Sequence, residues 1–234
     1  MAGDRYLTSG RETKTTPGIV ILVVLYITTI YGLKSEMISE YFQWMIPFDI
    51  FASFAVLMYY QKHWNLKALM FLVITYCAAM TILIIGVNTC SLKDARGIVF
   101  GPLKFGGVLG PKLFQVPLII GVLWTTLIYC VGILLRELNM KKFQKVMLGS
   151  LMIVLFDITL EPIARQTGMW DWFTKKDPLS NYRPVPLQNY FTWFLFCIPM
   201  LYYFFNAKAK LRNSIAVSLF LLVFFYYVFM NITR

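Results

Sequence analysis

Seven long apolar runs divide this chain, each bounded by short polar or basic stretches. They cover residues 17–33, 41–60, 68–92, 113–135, 146–164, 187–205 and 214–232. A helix that crosses a bilayer needs about 20 predominantly apolar residues, and these runs approach or exceed that length. They are continuous and do not alternate, which predicts membrane-spanning helices and not a barrel. The first run is short, and the second contains Pro47 and Asp49, so six or eight passes stand as alternatives to seven. The predicted architecture is all-α: a polytopic transmembrane bundle of about seven helices, one integral membrane domain over 1–234 with a polar tail at 1–16.

The connections at 61–67, 136–145 and 206–213 are short and basic, whereas those at 93–112 and 165–186 are long. Seven passes place both long loops on one side, together with residues 34–40 and the C-terminus. The other side carries slightly more Lys and Arg, so the positive-inside rule orients the N-terminus to the cytoplasm. The first long loop holds Gly97, Gly101, Gly106, Gly107 and Gly110 with Phe100 and Phe105; the second holds Trp170, Trp172, Phe173 and Tyr182 with Pro178, Pro184 and Pro186. Aromatic rings at this density favour an interface or pocket, so both loops are expected to fold back onto the bundle. The tail is polar and the first run is long enough to span, so a cleavable signal is not expected. An inverted-repeat transporter finds no support in the absence of an internal repeat.

Composition agrees with a surface that faces lipid: 59% hydrophobic, 17% aromatic and 14% charged residues, against about 25% charged in soluble domains. The net charge of +11 sits at the ends of apolar runs, where Lys and Arg meet headgroups, and this excludes a nucleic-acid partner. Cys77, Cys90, Cys130 and Cys197 form no CxxC pair, which leaves metal ligation and a disulfide framework without support. His63 is the only histidine, so a histidine-rich di-iron site is excluded. No phosphate-binding glycine loop is present.

Three acids interrupt the apolar runs: Asp49, Asp157 and Glu161. A charge at the bilayer centre costs about 2.5–3.5 kcal/mol on insertion scales, so each needs either a partner that locks helices together or a chemical task. Asp157 and Glu161 are four apart and share a helix face, and Arg165 continues that ladder if the helix persists. Pro162 predicts a kink or an end near Glu161. Two neighbouring carboxylates in low dielectric do not both ionise cheaply, which leaves one as a neutral acid. Asp49 follows Pro47, where an open helical hydrogen bond recruits a polar group, and a supporting role is expected of it.

The order of motifs carries a resemblance. It runs Gly86-Val87-Asn88-Thr89, Phe100-Gly101, Leu109-Gly110-Pro111-Lys112-Leu113-Phe114, Val116-Pro117-Leu118 and Trp124. Then come Asp157-Ile158-Thr159-Leu160-Glu161-Pro162, Gly168-Met169-Trp170-Asp171-Trp172 and Val185-Pro186-Leu187-Gln188-Asn189-Tyr190 with Trp193. Over roughly residues 40–205 the chain resembles the membrane carotenoid hydratases of the CruF type, which include the gamma-carotene 1'-hydroxylase and bisanhydrobacterioruberin hydratase. Two departures stand out. The family commonly places a glutamate three residues before the Gly-Val pair, where this chain has Leu83, and its Phe-Gly-x-Tyr-x-Tyr run appears here with Leu103 and Phe105.

The resemblance implies hydration of the terminal double bond of an acyclic carotenoid end, of the lycopene or gamma-carotene type, to a tertiary alcohol. It implies no metal and no redox cofactor. Asp157 or Glu161 would donate the proton, with the other orienting water. Trp170, Trp172, Trp193, Trp124 and Phe105 would line the end-group pocket, Asn189 would hold the water or the acid, and Arg165 and Gln188 would support them. Membrane lipid is the expected surrounding, and a bacterial inner membrane the expected location. The alternative is a carotenoid- or isoprenoid-binding protein without turnover, or a subunit of a membrane complex.

Overall fold

The computed structural model describes residues 14–90, 97–173, 185–207 and 211–233. Most of the polar tail, and Pro178, Tyr182 and Pro184 of the second long loop, lie outside the described residues. Among the described residues eight helices form: α1 (Thr16–Lys34), α2 (Ser39–Phe42), α3 (Met45–Tyr59), α4 (Leu66–Asn88), α5 (Leu118–Arg136), α6 (Lys142–Gln166), α7 (Leu187–Asn206) and α8 (Ala216–Ile232). Four short strands accompany them: β1 (Leu103–Phe105), β2 (Lys112–Leu113), β3 (Val116–Pro117) and β4 (Trp170–Trp172). Five stretches are long and apolar enough to cross a membrane: α1, α2 with α3, α4, α5 and α6. The protein is therefore a multi-pass integral membrane protein, and α7 and α8 pack along the same bundle.

Local chemistry sets the helix ends. Pro17 occupies the first turn of α1, where its missing N–H would have had no helical partner. The Asn65 side chain accepts the Ala68 N–H at 2.8 Å and caps α4. Pro47 lies in the first turn of α3 and does not interrupt it; the break in the second apolar run falls earlier, at Gln43 and Trp44. Pro162 likewise leaves α6 helical through Gln166, so the helix does not end near Glu161. Residues 113–117 were expected to begin the fourth span, but Phe114 and Gln115 take positive φ values of 45° and 68°. They close the β2–β3 hairpin, and α5 starts only at Leu118. Asn88 ties this hairpin to α4 by donating to Phe114 O at 3.0 Å.

Helix α5 occupies the middle of the bundle. Its membrane-length segment is 78% buried, against α3, α4, α6, α7 and α8. Small residues let neighbours approach: a methyl placed on Gly132 would come within 2.7 Å of the Phe204 ring. One end of the bundle is closed by the turn after α3 meeting the turn before α8, where Lys62 donates to Arg212 O at 3.0 Å. At the other end Lys34 Nζ donates to Thr233 O at 2.6 Å, and the two long loops cover it. The described parts of these loops pair with each other, β1 antiparallel to β4, with Leu103 opposite Trp172 and Phe105 opposite Trp170.

Candidate functional site

The site forms where the last turns of α4 and α6 meet the first turns of α5 and α7, beneath the paired loops. Asp157 and Glu161, one turn apart on α6, are 1% and 3% exposed. From the first turn of α7, Asn189 (2% exposed) bridges them. Its Nδ2 donates to Asp157 Oδ2 at 2.8 Å and to Glu161 Oε1 at 3.4 Å. Alternation along β4 sends Trp170 and Trp172 to the same side of the strand. Both indoles point inward, and both Nε1 atoms donate to Glu161 Oε2, at 3.2 and 2.9 Å.

Leu83, Leu103, Phe105 and Ile120, with Trp124 and Trp193, complete the lining of the same cavity. The two tryptophans stack with centroids 3.5 Å apart, and Phe100 backs Trp193 at 5.1 Å. Phe105 meets Trp170 edge-on at 6.0 Å. The cavity has an empty volume of about 260 Å³, the open space at its mouth included. It joins two carboxyl groups and one amide to an aromatic and aliphatic lining, so it can move a proton beside an apolar ligand.

The loop scaffold explains several of the motif glycines. Gly86 makes room for the Phe100 ring, which an added methyl would strike. Gly101 has φ +97° and sits 2.8 Å, measured from a built methyl, from the Pro186 ring. Thr192 Oγ1 donates to Val99 O at 2.5 Å, Lys112 Nζ to Phe105 O at 2.9 Å, and Gln188 Nε2 to Ile98 O. These bonds fasten the first loop over the entrance to α7.

Eight of the eleven sequence-predicted residues thus line one cavity: Asp157, Glu161, Asn189, Trp170, Trp172, Trp193, Trp124 and Phe105. The other three do not. Gln188 holds the loop, and Arg165 forms an ion pair with Asp171 at 3.7 Å. Asp49 lies on α3, 4% exposed, near Tyr26, Ser53 and Thr29 and apart from the site. Besides lining the pocket, Trp170 and Trp172 present their N–H edges to Glu161. Ile120 and the backing ring of Phe100 were not foreseen as parts of the site. One is an aliphatic residue among many on α5, and only the fold shows which of them faces the acids.

Multi-pass helices around a buried carboxyl pair walled by tryptophan define an integral membrane protein with a polar site inside its bundle. The chain belongs to the carotenoid biosynthesis protein family, whose sequence model matches residues 43–234. That match includes every residue lining the cavity. No curated protein and no solved structure matches the chain.

Proposed function

We propose that this protein hydrates the terminal carbon–carbon double bond of an acyclic carotenoid. The observation that carries the reading is the bridged pair Asp157–Glu161 facing an apolar, tryptophan-lined cavity. Protonation of the less substituted alkene carbon by a carboxylic acid creates a tertiary carbocation, and water captures it at the neighbouring carbon. Aromatic rings lining the cavity stabilise the cation electrostatically, and the second carboxyl group receives the proton that water releases. The chemistry needs no group beyond the substrate, water and these side chains. The protein would work in a bacterial inner membrane with its N-terminus in the cytoplasm.

Leu83, Leu103 and Phe105 favour a second reading, in which the cavity holds a carotenoid or another isoprenoid without turnover. All three departures from the family's pattern line the cavity, each with an apolar side chain. Expression in a host that makes lycopene or gamma-carotene separates the two. Hydration yields a carotenoid heavier by one water. Unchanged carotenoid that co-purifies, with no hydrate from several acyclic substrates, overturns the enzyme reading.

A further inference from the structure

The donors around the two carboxyl groups are unequally shared. Glu161 receives three N–H groups: Trp170 and Trp172 at Oε2 and Asn189 at Oε1. Asp157 receives one, from Asn189 at Oδ2. Among the described residues no hydrogen-bond partner is given to Asp157 Oδ1. An indole N–H and an amide NH2 donate and do not accept. A proton on Glu161 Oε2 would therefore face two indole hydrogens, and a proton on Oε1 would face the amide hydrogens. Asp157 Oδ1 has no opposing hydrogen.

We infer that the pair's single proton resides on Asp157, and that Trp170 and Trp172 are positioning residues whose indole N–H groups keep Glu161 as the carboxylate. The catalytic meaning of this division rests on the hydration reading. Asp157 delivers its proton to the less substituted alkene carbon; the π pair becomes the new C–H bond, and the O–H pair stays on Asp157. A water lone pair then forms the C–O bond at the cationic carbon. Glu161 takes the released proton, and the product is the tertiary alcohol. Return of that proton from Glu161 to Asp157, across the pair that Asn189 bridges, restores the starting state. Nothing is oxidised or reduced.

Infrared difference spectra of the purified protein in nanodiscs test the proton's place without any substrate. Asp157→Asn should delete a protonated-carboxyl C=O band that Glu161→Gln retains. Trp170→Phe and Trp172→Phe together, which keep the rings but remove both N–H groups, should shift or split that band. Deletion of the band by Glu161→Gln with retention in Asp157→Asn overturns the inference, as does an unchanged band in the double tryptophan variant. Turnover in heavy water supplies the second readout. Glu161→Gln should still exchange deuterium into the unhydrated end group, and Asp157→Asn should not. Trp172→Phe should lower hydrate yield by about tenfold to a hundredfold, the range for losing a hydrogen bond to a charged group, with deuterium exchange retained. Equal loss of exchange and hydrate in Trp172→Phe overturns the positioning role. If the wild-type protein makes no hydrate while the band still follows Asp157, the hydration reading fails and the proton's assignment stands.

Discussion

Asp157 and Glu161 remain in an apolar helix because the fold meets their hydrogen-bonding needs on one side and leaves a cavity on the other. Asn189 and two indoles supply N–H donors at 2.8–3.4 Å, so insertion of the acids does not leave Glu161 without partners. Removing either acid should impair hydration while sparing the fold: Asp157→Asn and Glu161→Gln are each expected to lower hydrate formation by about 10²–10⁴-fold, the range for general acid–base groups. Product chromatography from membranes of equal protein content checks this, and undiminished product in both variants removes the pair from the mechanism. Asp49 is a different case. It is buried, its Oδ1 has no hydrogen-bond partner among the described residues, and it lies outside the cavity. Asp49→Leu is expected to raise stability by about 1–3 kcal/mol, since it removes an unsatisfied buried polar group; a thermal melt in detergent measures it, and a lower melting temperature contradicts the expectation.

At the scale of elements, the site depends on the antiparallel pairing of two loops that are far apart in sequence. Strand β4 sets the spacing of Trp170 and Trp172, and β1 holds β4 in register. Gly101 is the joint of the first loop, with φ +97° and the Pro186 ring beside it. Gly101→Ala combines an unfavourable backbone conformation with a steric contact, so a loss of about 1–3 kcal/mol is expected. Hydrogen exchange should report it as faster exchange at 103–105 and 170–172, with α5 unaffected; uniform acceleration through the bundle would contradict a local joint. Much of this was legible in the sequence. The acids stood out against an apolar run, the i, i+4 spacing gave them one face, and the aromatic loops were expected to fold onto the bundle. What was not legible has physical reasons. Leu113, Phe114 and Val116 of the β2–β3 hairpin extend the apolar run of the helix that follows, and positive φ at Phe114 and Gln115 leaves no mark in hydropathy. Prolines 47 and 162 read as breaks, yet a first-turn proline lacks only a bond it would not have made, and α6 carries its proline within a packed interface. That the tryptophans turn N–H edges to Glu161 follows from strand pairing, which neither loop reveals alone.

The whole molecule places its chemistry near one end of the bundle. The cavity lies under the loop-covered end, whereas the turns near Gln61 and Asn213 close the other. Single cysteines placed near residue 63 and near residue 107, in a background without the four native ones, should therefore react with an impermeant thiol reagent from opposite sides of the membrane. Labelling of both from the same side contradicts seven crossings. Helix α5, buried on nearly all faces, resembled its lipid-facing neighbours in hydropathy, because a bundle interior and a lipid tail ask for the same residues. Its central place emerges only from packing. The account's central claim concerns the reaction, and the most direct measurement is turnover by the purified protein in nanodiscs, with lycopene as substrate and heavy-oxygen-labelled water. The predicted result is a tertiary alcohol at the chain end carrying the label, formed without added cofactor and lost in Asp157→Asn. An alcohol whose oxygen does not come from water, or label incorporation undiminished in Asp157→Asn, would contradict it.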